Sequence, residues 1–219
     1  MAVEDTGFGT AIGIRGFAIG SAVKIVNSGD IAAVGRNVMG INAQSTLTYV
    51  PGSRIDIVNS GDVTATAFTF YATGISASGR GPIDIYNSGD VLATTSGRDA
   101  WGIIALTGVL AGSSIHIVNT GDLRVSGVAP GLGNIPTAGI AAQSFLAADS
   151  PIAIENEGAL TVSALANAFG IVAYTSGANS PISIENRGDI AATGAAYGYG
   201  TTVEGIRAAI FGASSLSPS

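Results

Sequence analysis

A phrase of the form Ile-x-Ile-x-Asn-x-Gly-Asp comes round six times in this chain, anchored at Asn27, Asn59, Asn87, Asn119, Asn156 and Asn186. The anchors are 32, 28, 32, 37 and 30 residues apart. Self-similarity at such a period means units that cannot close a core alone and bury their apolar faces by stacking on one another. Two residues after each anchor stands a glycine: Gly29, Gly61, Gly89, Gly121, Gly158 and Gly188. Asp30, Asp62, Asp90, Asp122 and Asp189 follow, with Ala159 the one departure.

Around each anchor the apolar residues alternate with period two. Before it come Val23/Ile25, Ile55/Ile57, Ile83/Ile85, Ile115/Ile117, Ile152/Ile154 and Ile182/Ile184. After it come Ile31/Ala33, Val63/Ala65, Val91/Ala93, Leu123/Val125, Leu160/Val162 and Ile190/Ala192. A second phrase, Gly-Ile-x-Ala in its fullest form, begins at Gly40, Gly74, Gly102, Gly139, Gly170 and Gly205, with an incomplete copy at Gly13. Alternation over four to six residues marks a strand with one buried face. Three short strands per unit and no helical period exclude a propeller blade, which needs four antiparallel strands. The expected fold is all-β: a single-stranded parallel β-helix of about six coils, three strands to a coil, with no α-helical domain.

Such a coil is narrow inside, so a column of Ile opposes columns of Ala and Val. Each anchor Asn shares the parity of the two Ile before it and is expected to point inward at the corner. Stacked at ~4.8 Å, the six amides can bond along their column and satisfy turn groups otherwise buried without partners. The glycine after each Asn is expected to take φ > 0. Variable connections, longest at 126–138 and also at 143–150, are expected as side loops, where binding specificity tends to sit.

Composition closes off other classes. Charged residues are 11 % of the chain, against ~25 % in average soluble proteins. Net charge is −6 with nine scattered basic residues, which leaves no electrostatic footprint for nucleic acid. There is no cysteine, so disulfides and thiolate metal sites are excluded. No apolar run approaches the ~18 residues of a spanning helix, and the N-terminus lacks the basic and apolar regions of a signal peptide.

Stacking turns sequence columns into surface rows. Three residues before each anchor the column reads Lys24, Asp56, Asp84, His116, Ala153, Ser183. Asp56 and Asp84 would then sit on adjacent coils like the paired carboxyls of a retaining glycosidase, which are ~5–5.5 Å apart. A solvated face on which Lys24 and His116 offset two aspartates is the plainer expectation. The neighbouring column, Val26, Val58, Tyr86, Val118, is an outward apolar strip, to be read as a contact surface or as one covered by a side loop. The row Asp30, Asp62, Asp90, Asp122 is tolerable if turn N–H groups donate to it; calcium is the alternative. Trp101 reads as a coil-edge packing residue. No cofactor motif is present.

The run Ile-x-Ile-x-Asn-x-Gly-Asp-Ile-x-Ala followed by Gly-Ile-x-Ala resembles the passenger repeats of bacterial autotransporters, the type V secretion proteins, over about 10–209. The resemblance implies a right-handed β-helix displayed outside the cell. It also implies adhesion to a host or neighbouring-cell surface, or to an extracellular matrix component, without catalysis. The repeats then run approximately over 23–54, 55–82, 83–114, 115–151, 152–181 and 182–213, with 1–22 a partial coil. No C-terminal translocator barrel and no polar end caps are recognisable. The chain is therefore expected to be a piece of a longer passenger, attached to the membrane only through a barrel beyond it and able to associate end to end. A polysaccharide-acting enzyme using Asp56 and Asp84, or a filament-forming subunit, are the alternatives.

Overall fold

The computed structural model describes residues 1–4, 9–46, 53–108, 110–128, 136–195 and 201–211. Part of the longest expected side loop, at 129–135, and the terminal Ser-Ser-Leu-Ser-Pro-Ser lie outside the described residues. The chain winds as a parallel β-solenoid of about six coils with three sheets, and the described residues contain no helix.

The anchor sheet stacks Val23–Asn27, Ile55–Asn59, Ile83–Asn87, Ile115–Asn119, Ile152–Asn156 and Ile182–Asn186. A second sheet begins with Ala2–Glu4 and continues through Ile31–Gly35, Val63–Ala67, Val91–Thr95, Leu123–Gly127, Leu160–Ala164 and Ile190–Gly194. The third holds Thr10–Ile19, Asn37–Thr46, Ala72–Gly79, Ala100–Gly108, Thr137–Phe145, Ala168–Thr175 and Val203–Ile210. Every pairing is parallel, and the anchors register on one another from Asn27↔Asn59 to Asn156↔Asn186.

Inside, the Ile pairs of the anchor sheet meet Ile31, Val63, Val91, Leu123 and Leu160 of the second sheet and the Ile and Ala of the second phrase. A narrower lobe is lined chiefly by alanine, including Ala33, Ala65, Ala93 and Ala100. Each fully buried Ile contributes about 1.5–3 kcal/mol. The third strands run to eight to ten residues, longer than the alternation alone suggests. At Gly13, Gly40, Gly74, Gly102, Gly139 and Gly170 a side chain would meet the next coil: a Cβ on Gly74 would strike Val91 Cγ1 and lie 2.6 Å from Gly102 O.

The anchor amides form one hydrogen-bonded file. Each Nδ2 donates to Oδ1 of the next coil's Asn, at 2.7 Å for Asn27, Asn59, Asn87 and Asn156 and 2.8 Å for Asn119. The second N–H of each donates to the carbonyl oxygen two residues on in its own turn, Asn87 to Gly89 O at 2.7 Å for example. Asn59, Asn87, Asn119 and Asn156 are buried, so an unmade bond here costs about 1–3 kcal/mol per orphaned group.

The turn glycines do not take φ > 0; among described glycines only Gly20 and Gly112 do. Their reason is contact between coils. A Cβ on Gly61, Gly89, Gly121, Gly158 or Gly188 would collide with the carbonyl oxygen of the equivalent glycine one coil earlier. At Gly29, in the first anchor coil, such a Cβ meets nothing within 4 Å. The two positions therefore separate under the same substitution. Gly89→Ala should destabilise the fold by about 1–3 kcal/mol through overpacking. Gly29→Ala should be neutral or stabilising by up to about 1 kcal/mol, by restricting the unfolded chain. Denaturant midpoints of the two variants check this; equal losses at both would contradict it.

Candidate functional site

Outward columns of the anchor sheet carry the residues with most chemical potential. Lys24, Asp56, Asp84, His116, Ala153 and Ser183 lie in one file, each registered on the next. The base that reaches the aspartates is Arg54 rather than Lys24. Its Nε stands 2.5 Å from Asp56 Oδ1 and its Nη2 3.1 Å from Asp84 Oδ2. Asp56 and then Asp84 push the guanidinium further above its ordinary value. On the other side His116 Nδ1 lies 3.7 Å from Asp84 Oδ1, and its Nε2 3.7 Å from Glu155 Oε1. Tyr86 meets the imidazole edge-on, ring centroids 5.6 Å apart at 89°. Arg54 was legible in principle: it shares the outward parity of Asp56 but precedes the recurrent phrase.

Chemically, this is a charge-compensated row. A glycosidase pair needs one carboxyl to donate a proton and another free to attack, whereas one guanidinium here spans both. Shallow concavities lie elsewhere, one lined by Asp62, Thr64, Asp90, Leu92, Asp122 and Arg124, another by residues from Gln44 to Thr46 and from Ser78 to Arg80.

In the adjacent file Val26, Val58, Tyr86 and Val118 stand side by side, with Glu155 and Glu185 continuing it. Val26 is 66 %, Val58 39 % and Tyr86 42 % exposed. These three are open to solvent, and Val118 is half-buried.

The aspartate row is held by the backbone. Asp62, Asp90, Asp122 and Ala159 each donate their backbone N–H to Oδ1 of the Asp one coil earlier, at 3.1, 3.0, 2.9 and 2.9 Å. Neighbouring charges ~4.8 Å apart in water repel by about 0.9 kcal/mol, and a hydrogen bond to a charged acceptor is worth about 1.5–3 kcal/mol. The backbone bond wins. Ala159 offers no carboxylate, so the ladder stops before Asp189. Among the described residues no three His, Cys, Asp or Glu side chains gather closely enough to hold a metal ion.

Trp101, in register with Thr73 and Ala138 on the third sheet, stacks on Tyr71, centroids 5.4 Å apart, and donates from Nε1 to Pro136 O at 2.9 Å, a packing role at the coil edge. Asp99 is buried at 2 % exposure, with Thr137 Oγ1 donating to its Oδ1 at 3.3 Å. Burial pushes its carboxyl pKa up, against the smaller opposing pull of that bond and of Arg98.

The chain matches no protein-family model, no curated protein and no solved structure.

A raised native pKa means that the folded state holds the Asp99 proton more tightly than the unfolded chain. The resulting stabilisation is complete below the ordinary carboxylate range and is lost as pH rises through the raised native value. Asp99→Asn, which keeps the acceptor for Thr137, should raise the melting temperature at neutral pH and flatten its decline between acid and neutral conditions. A lower melting temperature at pH 7 would contradict the burial argument.

Proposed function

We propose that this chain is a non-catalytic structural and adhesive module displayed outside a bacterial cell, of the kind found in autotransporter passengers. The observation that carries the reading is the unbroken asparagine file. Every coil is tied to the next by side-chain and backbone bonds, which makes a stiff rod without disulfides. Its six rungs, five spacings of ~4.8 Å, set the first and last anchor strands about 24 Å apart. A rigid rod presents outward columns in fixed register, so a contact surface on it loses little conformational freedom on binding. The strip of exposed Val26, Val58 and Tyr86 with half-buried Val118 is the surface assigned to the partner, a component of a neighbouring-cell surface or of the extracellular matrix. Exposed apolar strips of this kind mark contact with another surface.

Catalysis by Asp56 and Asp84 has no comparable support, because Arg54 occupies both carboxylates. The experiment for the adhesive reading is retention of the purified protein on matrix-coated and cell-coated surfaces. Val58→Lys combined with Tyr86→Ser should weaken retention by roughly tenfold, the scale of losing one well-packed contact, while leaving the melting temperature near that of the unmodified protein. Absence of retention on every surface counts against the proposal. So does cleavage of a polysaccharide that Asp56→Asn/Asp84→Asn abolishes.

A further inference from the structure

Where Asn37–Thr46 and Ala72–Gly79 end side by side on the third sheet, the surface dips into a polar recess of about 250 Å³. It is lined by Gln44, Ser45, Thr46, Ser78, Gly79 and Arg80. Alternation decides which side chains face outward. Ala43 and Ala77 are buried in the core, so Gln44, Thr46, Ser78 and Arg80 carry the opposite parity. Gln44 registers on Ser78. A rung spacing of ~4.8 Å and two residues of strand, ~6.6 Å, set these four positions at the corners of a small rectangle.

Three observations separate this recess from the charged rows of the anchor sheet. Its polar groups are not spent on the protein. Among the described residues no carboxylate oxygen lies within 4 Å of Arg80, whereas Arg54, Arg187 and Arg207 all face carboxylates. The side chains of Gln44, Thr46 and Ser78 likewise make no hydrogen bond to a described residue. Gln44, Ser78 and Arg80 are also half-buried, so part of their rotamer freedom is already lost. Finally, the backbone around them is pinned. Gly20 N–H donates to Thr46 O at 2.9 Å, Ser113 Oγ to Arg80 O at 2.7 Å, and Ser45 Oγ to Ser21 O at 3.0 Å.

The donor set defines the ligand. A guanidinium only donates, and its planar fork pairs with a carboxylate through two parallel hydrogen bonds. The Gln44 carbonyl and the hydroxyls of Thr46 and Ser78 also accept, and a simple anion has no proton to give them. At about 250 Å³ the recess falls below the ~300–1,000 Å³ of drug-sized sites. We propose that it binds a single sugar acid, with the carboxylate on Arg80 and ring hydroxyls on Gln44, Ser78 and Thr46. A free sugar acid and the terminal residue of a glycan offer this same chemistry. The recess lies on the third sheet, away from the Val–Tyr strip, and does not depend on the adhesive role of that strip.

The test is titration of isotope-labelled protein with glucuronate, followed through its amide resonances, with glucose and acetate as comparators. Glucuronate should shift the amides of residues 44–46 and 78–80 with a Kd of about 1 mM, the scale of a ligand this small. Glucose lacks the carboxylate and acetate lacks the hydroxyls, so each should bind about tenfold more weakly or worse. Arg80→Gln should weaken glucuronate binding by about tenfold or more, the loss of one charged pair. Gln44→Glu keeps the side chain's size and sets a competing carboxylate beside Arg80; it should abolish binding while preserving the melting curve. Arg124→Gln, on the second sheet, should bind as the unmodified protein does. Methyl β-glucuronide binding as well as glucuronate assigns the site to a glycan terminus, and binding of glucuronate alone assigns it to the free acid. Absence of glucuronate-induced shifts at residues 44–46 and 78–80 overturns the proposal. Equal binding of acetate, an adventitious ion only, does so too, as does equal binding of glucose or undiminished binding in Arg80→Gln.

Discussion

The structure depends on one side-chain amide used twice. Each anchor asparagine spends one N–H on its own turn and the other on the asparagine of the next coil. The first bond shapes the corner; the second fixes how coils lie over one another. Because side chains alternate with period two, a slip of one residue would carry the Ile pairs to solvent and the outward Asp and Val columns into the core. The amide file and the Ile columns therefore select the same register, and each makes the other's misplacement costly.

That agreement explains why the fold was legible in the sequence. Residues at equal distances from each asparagine are spatial neighbours, so lining up the six phrases already lists the sheet partners. The glycines were harder. A turn glycine suggests φ > 0 from local geometry, but the constraint at Gly89 is the carbonyl oxygen of Gly61, 28 residues away in sequence. Arg54 shares the parity of Asp56 but stands just outside the recurrent phrase, and Asp99 lies in a connection of unequal length, where no column can be counted. Their partners follow only from loop geometry.

Charge follows the same logic of stacking. A periodic chain places like residues over like, so any repeated carboxylate becomes a row of repelling charges. Two remedies are present. Asp30, Asp62, Asp90 and Asp122 receive backbone N–H groups from the following coil, and Asp56 and Asp84 share Arg54. In both cases the acidic surface becomes part of the coil-to-coil connection. What remains for recognition on the anchor sheet is an outward column without charge, the apolar run of Val26, Val58 and Tyr86.

The superposition of coils can be read directly as a distance series. The chain has no cysteine, so spin labels can be placed through Val26→Cys paired in turn with Val118→Cys, Glu155→Cys and Glu185→Cys, all in one outward file. These pairs are three, four and five rungs apart, and electron–electron distances should rise in equal steps through about 14, 19 and 24 Å. Distances that fail to increase in that order, or that change by unequal steps, would show that the asparagine-anchored strands do not lie one above another.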